Sequence, residues 1–189
     1  MDRDAAAKAI EAFLRALGRD PAHEPDLQGT GTRVAHAFAD ELLDGYAVDI
    51  DALLSHNVLA GATELVIVRD LSVTTVCPHH LMPAVGTATV AFAPEEHLVG
   101  VGTVGALVDA CAHRLTLQEQ IGQRVVAALQ KHLAPRWAGC RMVMTHACMV
   151  ARGERKHGAR VETVALSGGE VDEAVAYGVL GATGPLARG

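Results

Sequence analysis

Residues 64–80 read ELVIVRDLSVTTVCPHH, and the prediction of the fold begins from them. Its branched apolar residues alternate with polar ones, which is typical of β-strands that bury one face. We therefore predict a pair of strands that ends where Cys77-Pro78-His79-His80 begins, so that these four residues lie on a loop. A second cluster, His146-Ala147-Cys148, lies between two hydrophobic runs about seventy residues later.

The two clusters together offer thiol sulfurs and imidazole nitrogens, the ligands that zinc prefers. Three such ligands leave the fourth tetrahedral position free for water, which is the composition of a catalytic zinc site. Residues two apart on a strand project to the same face, so His146 and Cys148 should point together toward one site. Taken alone, His146 would be read as an ordinary core or surface histidine and Cys148 as a small core residue. The Cys77 cluster favours the metal site instead.

The composition limits the possible classes of protein. The chain has 189 residues, half of them hydrophobic, which predicts one domain that folds without disulfides. Its four cysteines and the lack of an apolar leader indicate a reducing cytoplasm, and we expect Cys111 and Cys140 to be core residues. A net charge of −6 and few aromatic residues argue against nucleic-acid binding. The apolar runs are too short to span a membrane.

Hydrophobic periodicity predicts an α+β protein. Helices are expected over residues 4–17, 32–43 and 103–133. Strands are expected over residues 86–92 and 98–101, as a hairpin, and over residues 141–150 and 160–166, as an antiparallel pair. The expected organisation is an N-terminal helical region over residues 1–60, a catalytic domain over residues 61–170 and a flexible tail over residues 171–189, in which residues 171–177 could form one or two helical turns.

Four separate blocks, in order, resemble the GTP cyclohydrolase I family. They are Val68-Arg69-Asp70, Cys77-Pro78-His79-His80, Gln118-Glu119 and the run from Thr145 to Gly153. The resemblance implies the tunnelling fold (T-fold), in which an antiparallel sheet carries long helices on one face. It also implies a homo-oligomer, a decamer, with active sites at subunit interfaces.

Carried over position by position, the resemblance makes Cys77, His80 and Cys148 the zinc ligands and His79 and His146 the catalytic acid and base. In that family, zinc activates a water that attacks C8 of the purine of GTP. Ring opening, loss of formate and reclosure then give dihydroneopterin triphosphate.

The resemblance also assigns substrate contacts. Gln118 and Glu119 correspond to the pair whose backbone and carboxylate hold the guanine edge. The carboxylate suits guanine because it can accept hydrogen bonds from both N1–H and the 2-amino group. Arg33 and Arg152 correspond to phosphate-binding arginines. Without the resemblance, Glu119 would be read as a solvated helix carboxylate.

Two positions depart from the family pattern. Where the family has Ser-Lys-x-x-Arg, with both cations gripping the triphosphate, residues 102–106 read Gly-Thr-Val-Gly-Ala. Pro78 stands where the family usually has glutamate. We therefore expect a purine substrate with fewer phosphates, or a related heterocycle, unless Arg155, Lys156 or Arg160 replaces the missing cations. Taken alone, these three residues would be read as a solvated turn.

Two other functions remain open. A catalytically silent ligand-binding or regulatory homologue would use the pocket to bind a purine or pterin, although it would be expected to have lost metal ligands or proton carriers. Kinship with the nitrile reductase branch of the same fold is weaker, because that chemistry uses a lone cysteine and nicotinamide and gives the three metal-ligand candidates no role.

Overall fold

The computed structural model describes residues 1–61, 63–153, 155–169 and 172–182. Contacts between residues divide the chain into two units, Met1–Asp44 and Gly45–Gly189. The boundary between these units, after residue 44, comes earlier in the chain than the boundary at residue 60 that the sequence suggested. The assignment of residues 61–170 as the catalytic domain stays a prediction.

The first unit is a pair of helices, as the sequence predicted. Helix α1 spans Arg3–Ala16 and helix α2 spans Thr30–Ala37, followed by a π-helical turn over Phe38–Leu42. Asp2 caps α1 by accepting a hydrogen bond from the backbone N–H of Ala5 at 2.9 Å. The two helices cross closely at Gly31, where a Cβ would lie 2.5 Å from the carbonyl oxygen of Ala7.

The second unit is built on a four-stranded antiparallel sheet with the order β2-β3-β5-β6. Its strands are β2 (Val66–Val76), β3 (Pro83–Ala93), β5 (Trp137–His146) and β6 (Val161–Gly168). The predicted antiparallel pairing of the last two strands is confirmed. Short strands β1 (Val58–Ala60) and β4 (His97–Val99) form a separate two-stranded sheet.

The predicted hairpin between residues 86–92 and 98–101 is therefore wrong. Both sides of β3 are already paired, with β2 on one side and β5 on the other. No edge of β3 is left for β4, which pairs instead with β1.

The helices of the second unit are α3 (Ile50–Ser55), α4 (Val101–Ala112), α5 (Gln118–Leu133), α6 (Ala147–Val150) and α7 (Glu173–Leu180). The single helix predicted over residues 103–133 is thus two helices. The connection between them follows strand β2 instead of the helical path: the N–H of Thr116 donates to the carbonyl of Val76 at 3.3 Å, and the Thr75 hydroxyl donates to the carbonyl of Arg114 at 3.2 Å.

The main core lies between one face of the sheet and helices α4 and α5. Its largest buried side chains are Phe92, Leu54, Leu107, Ile121, Leu129, Leu133, Met142 and Met144. Cys111 and Cys140 lie in the same core, as predicted. This arrangement confirms the α+β class with an antiparallel sheet and its long helices, α4 and α5, on one face, in agreement with the tunnelling fold.

The opposite face of the sheet is covered in part by α7. Ala176 and Leu180 of this helix are buried against Ala91, Ala93 and Trp137. The predicted flexible tail is thus a packed helix over residues 173–180, because its apolar residues recur at the spacing of one helix face. Residues 171 and 183–189 of that predicted tail lie outside the described residues. Within the described ranges, no helix has the length and apolar character needed to cross a membrane.

Candidate metal centre and active site

The sheet brings the two predicted ligand clusters to one end. Strands β2 and β5 are both antiparallel to β3, which lies between them, so they run in the same direction and end at the same side of the sheet. Thr75, Ala84 and His146 lie in one row across the three strands. Cys77 and Cys148 each come two residues after this row, so β2 and β5 deliver them to the same place.

The predicted loop after β2 is confirmed as the turn between β2 and β3. The N–H of Cys77 donates to the carbonyl of Met82 at 3.0 Å, and the N–H of Leu81 donates to the carbonyl of Cys77 at 2.9 Å. Leu81 has a φ of 52°, a left-handed conformation that closes the turn. The Cys77 sulfur lies 3.9 Å from Nδ1 of both His79 and His80.

Cys148 reaches the site by a different route from the one predicted. Strand β5 ends at His146, and the next four residues form the helical turn α6. The expectation that His146 and Cys148 share one face of a strand is therefore wrong. The helical turn is closed by the N–H of Ala151, which donates to the carbonyl of Ala147 at 2.9 Å.

Three of the predicted side chains form a group suited to a metal ion. The donor atoms of Cys77, His80 and Cys148 all lie within 4.8 Å of one another. Zinc bonds to sulfur and nitrogen imply donor separations of about 3.6 to 3.8 Å in a tetrahedral site. The 3.9 Å between the Cys77 sulfur and Nδ1 of His80 is close to this value. His79 is not part of the group found among the described residues.

The charges around the group also suit a cation. Burial raises the pKa of the Cys148 thiol, the neighbouring Cys77 raises it further, and Arg152 acts in the opposite direction. A divalent cation favours the thiolate form of its cysteine ligands, because metal binding releases their protons. The two core cysteines lie outside this group. Burial raises the pKa of Cys111 to about 11 and that of Cys140 to about 12.

His146 has a partner that the sequence did not reveal. Its Nε2 lies 2.8 Å from Oε1 of Gln118, whose side chain is buried with 2 % of its surface exposed. The Gln118 amide nitrogen contacts the carbonyls of Met142 and Val161 and the Thr163 hydroxyl at 3.0 to 3.2 Å. The Gln118 side chain is thus fully engaged within the protein, and a substrate contact through its backbone stays a prediction. No sequence pattern could link residues 118 and 146, because they come from different elements.

The environment of His146 favours its neutral form. Burial lowers the pKa of His146, and the nearby carboxylate of Glu119 partly opposes this effect. A neutral imidazole keeps one nitrogen lone pair and can accept a proton.

These residues line a cleft with a cavity volume of about 220 Å³. Its wall includes the three candidate metal ligands, His79, His146 and Glu119. Residues that the sequence did not single out, such as Thr116, Leu117 and Met149, also line it. Glu119 is exposed in the first turn of α5. Arg152 lies near enough to Cys148 to affect its pKa.

Arg33, the remaining predicted substrate contact, belongs to the first unit. Its guanidinium donates to the carbonyl of Gln28 and to the hydroxyl of Thr30, both at 2.8 Å. A role for Arg33 in phosphate binding stays a prediction.

The sequence profile of a family described as GTP cyclohydrolase I matches residues 6–179. GTP cyclohydrolase 1 of Synechococcus sp. is 35% identical over 85% of this chain and 69% of its own length. The enzyme of the same name from Bartonella bacilliformis is 36% identical over 85% of this chain and 78% of its own length. That from Leptospira biflexa is 35% identical over 84% and 86%.

Among solved structures, the archaeosine synthase QueF-Like in the apo form matches with a TM-score of 0.48 and 19% identity, over 59% of this chain and 100% of that one. The profile match covers most of the chain, and each of the three relatives is aligned over more than two thirds of its own length. This chain belongs to the GTP cyclohydrolase I family of hydrolases.

Proposed function

We propose that this protein is a zinc-dependent hydrolase that opens the imidazole ring of a guanine nucleotide or related purine and releases formate. The observation that carries the proposal is the convergence of Cys77, His80 and Cys148 in a cleft that also contains two further histidines. Family membership supports the same reaction class.

Zinc would be held by the two sulfurs and by the imidazole of His80. Two cysteines and one histidine form a known type of catalytic zinc site, which keeps one position open. Bound zinc supplies Lewis-acid activation of water at neutral pH.

The protein's own side chains would handle the protons and the purine. His79 and His146 serve as acid and base, because imidazole exchanges protons near neutral pH. Glu119 accepts hydrogen bonds from N1 and the 2-amino group of guanine, which would exclude adenine. Arg152 and Arg33 would bind a phosphate.

The substrate is proposed to carry fewer phosphates than GTP. Helix α4 begins with residues 101–106 and contains no lysine or arginine, so the two cations of the family's triphosphate motif are absent there. A hydrogen bond to a charged group contributes about 1.5 to 3 kcal/mol, so two lost contacts cost about 3 to 6 kcal/mol. This corresponds to a loss of roughly a hundredfold to ten-thousandfold in triphosphate affinity. Arg155, Lys156 and Arg160 are the candidates for replacing the lost contacts.

The test is formate release by the zinc-loaded protein from GTP, GMP, guanosine and guanine. We expect formate from at least one of the four, with kcat/KM for GMP or guanosine exceeding that for GTP. A clear preference for GTP at micromolar concentration would reject the proposal that the substrate carries fewer phosphates. One zinc per subunit without formate from any purine would instead indicate a silent binding protein.

A matched pair of histidine variants controls this test. His79→Gln should lower turnover about 10²- to 10⁴-fold, the usual contribution of a general acid or base. His97→Gln should leave it unchanged, because His97 is an exposed residue of β4 and is not among the residues that line the cleft.

We also propose a cytoplasmic homo-oligomer, a decamer with active sites at subunit interfaces. Strands β2 and β6 are the two edges of the four-stranded sheet, and neither has a second partner strand in the described ranges. Such edges are available for pairing with other subunits. All four cysteines are free, which suits a reducing compartment. Light scattering after size-exclusion chromatography measures the subunit number, and a monomer would contradict the assembly.

A further inference from the structure

The buried amide of Gln118 has a defined orientation. Its nitrogen lies 3.2 Å from the carbonyl oxygen of Met142 on β5 and 3.0 Å from that of Val161 on β6. It also lies 3.1 Å from the hydroxyl of Thr163. The amide therefore ties the N-terminus of α5 to both strands.

Only one orientation of this amide is compatible with its surroundings. Exchanging its nitrogen and oxygen would place the amide oxygen at 3.0 to 3.2 Å from two carbonyl oxygens. A carbonyl oxygen only accepts hydrogen bonds, so no bond could form there and the facing oxygens would repel each other. Oε1 of Gln118 must therefore face the ring of His146.

This orientation determines the hydrogen on His146. Oε1 of Gln118 is an acceptor only, and it lies 2.8 Å from Nε2 of His146. Nε2 must therefore carry a hydrogen, and in the neutral ring the lone pair must then be on Nδ1. In the described part of the chain, no hydrogen bond reaches this Nδ1, while the ring itself lines the cleft.

We infer that Gln118 is a positioning residue that holds His146 as the Nε2–H tautomer and presents Nδ1 as its proton-accepting atom. For its catalytic consequence, this inference rests on the proposed function. A proton taken from the reacting water or substrate would go to Nδ1 and later leave from it. The Nε2–H bond to Gln118 would persist throughout, so the ring would not need to turn between the two steps.

Neutron diffraction from deuterated crystals at about pH 8 tests the tautomer directly, because histidine is ordinarily neutral there. We expect deuterium on Nε2 of His146 and two deuterium atoms on the Gln118 nitrogen. Deuterium on Nδ1 with Nε2 bare, or the amide nitrogen facing the ring, would overturn the inference. The neutron measurement needs no substrate, so its outcome does not depend on whether any purine releases formate. Failure of all four purines to release formate would defeat the proposed function but not the tautomer assignment.

Kinetics test the positioning role. Gln118→Met removes the amide with little change in size. We expect kcat for formate release from the preferred purine to fall about 10- to 100-fold, as for residues that orient a functional histidine. KM should change less than about twofold. The same variant should show a mixture of His146 tautomers in ¹⁵N spectra of labelled histidine, whereas wild type shows one.

The matched control is Gln123→Met, which changes an exposed glutamine of the same helix and should leave kcat and the spectrum unaltered. Unchanged kcat in Gln118→Met would refute the positioning role. If that variant does not fold, the neutron map of the wild type still decides the tautomer.

Discussion

Gly86 lies in the middle of the sheet that positions the site, and Gly86→Ala should destabilise the protein strongly. Gly86 belongs to β3 and is paired with Met144 of β5, two residues before His146. A Cβ at this position would lie 2.0 Å from the carbonyl oxygen of Val143 and 2.7 Å from Cα of Met144. Both atoms are backbone, so no side chain can rotate away.

The cost follows from this geometry. Non-bonded carbon and oxygen atoms need about 3 Å, so one strand has to move by about 1 Å in a close-packed interior. Inserting a methyl group into a packed core costs about 1 to 3 kcal/mol, and the upper end applies here because the strand ladder itself must shift. For a chain of this length, 3 kcal/mol lowers Tm by roughly 6 to 12 °C.

The assay is thermal unfolding of wild type and variant, followed by circular dichroism at equal protein concentration. Gly102→Ala provides the control, because a Cβ there meets no atom within 4 Å and the residue is in helix α4. It should leave stability unchanged or raise it by up to about 1 kcal/mol, since alanine favours helices. A Tm for Gly86→Ala within about 2 °C of wild type would refute the packing argument.

Three further predictions concern the site and the thiols. Cys148→Ser should reduce zinc from about one ion per subunit to a small fraction, measured by mass spectrometry of the metal after dialysis, and full retention would exclude Cys148 as a ligand. In the zinc-free protein at about pH 8, the core thiols Cys111 and Cys140, with pKa values of about 11 and 12, should remain unlabelled by iodoacetamide while the half-buried Cys148 reacts. Rapid labelling of Cys111 and Cys140 in the folded protein would contradict their burial. Glu119→Gln should lower kcat/KM for the guanine substrate by roughly tenfold or more, because an amide accepts fewer of its N–H bonds, and an unchanged value would remove Glu119 from purine recognition.

Several features of the protein were predictable because they depend on local sequence. The alternation of residues 64–76 predicted β structure, although as a pair of strands where the protein has the single strand β2. The Cys77-Pro78-His79-His80 run was correctly placed on a loop at its end. The apolar surroundings of Cys111 and Cys140 predicted core positions. The ordered motifs indicated the family, because their residue types and spacing are specific.

Other features depend on contacts between distant parts of the chain. The pairing of β4 with β1 follows from the occupied edges of β3, and the break between α4 and α5 follows from hydrogen bonds to β2. The helical turn after His146 likewise replaced the predicted strand at Cys148.

The sequence alone determined which residues could bind a metal, because thiol and imidazole chemistry belongs to the residue type. The family resemblance had singled out Cys77, His80 and Cys148, but only the tertiary structure decided whether their donor atoms meet. It brought His80, but not His79, into one group with Cys77 and Cys148 among the described residues, and it paired His146 with Gln118. The physical reason is that a donor set and a hydrogen bond require separations of a few ångströms, which the packing of the sheet and α5 sets.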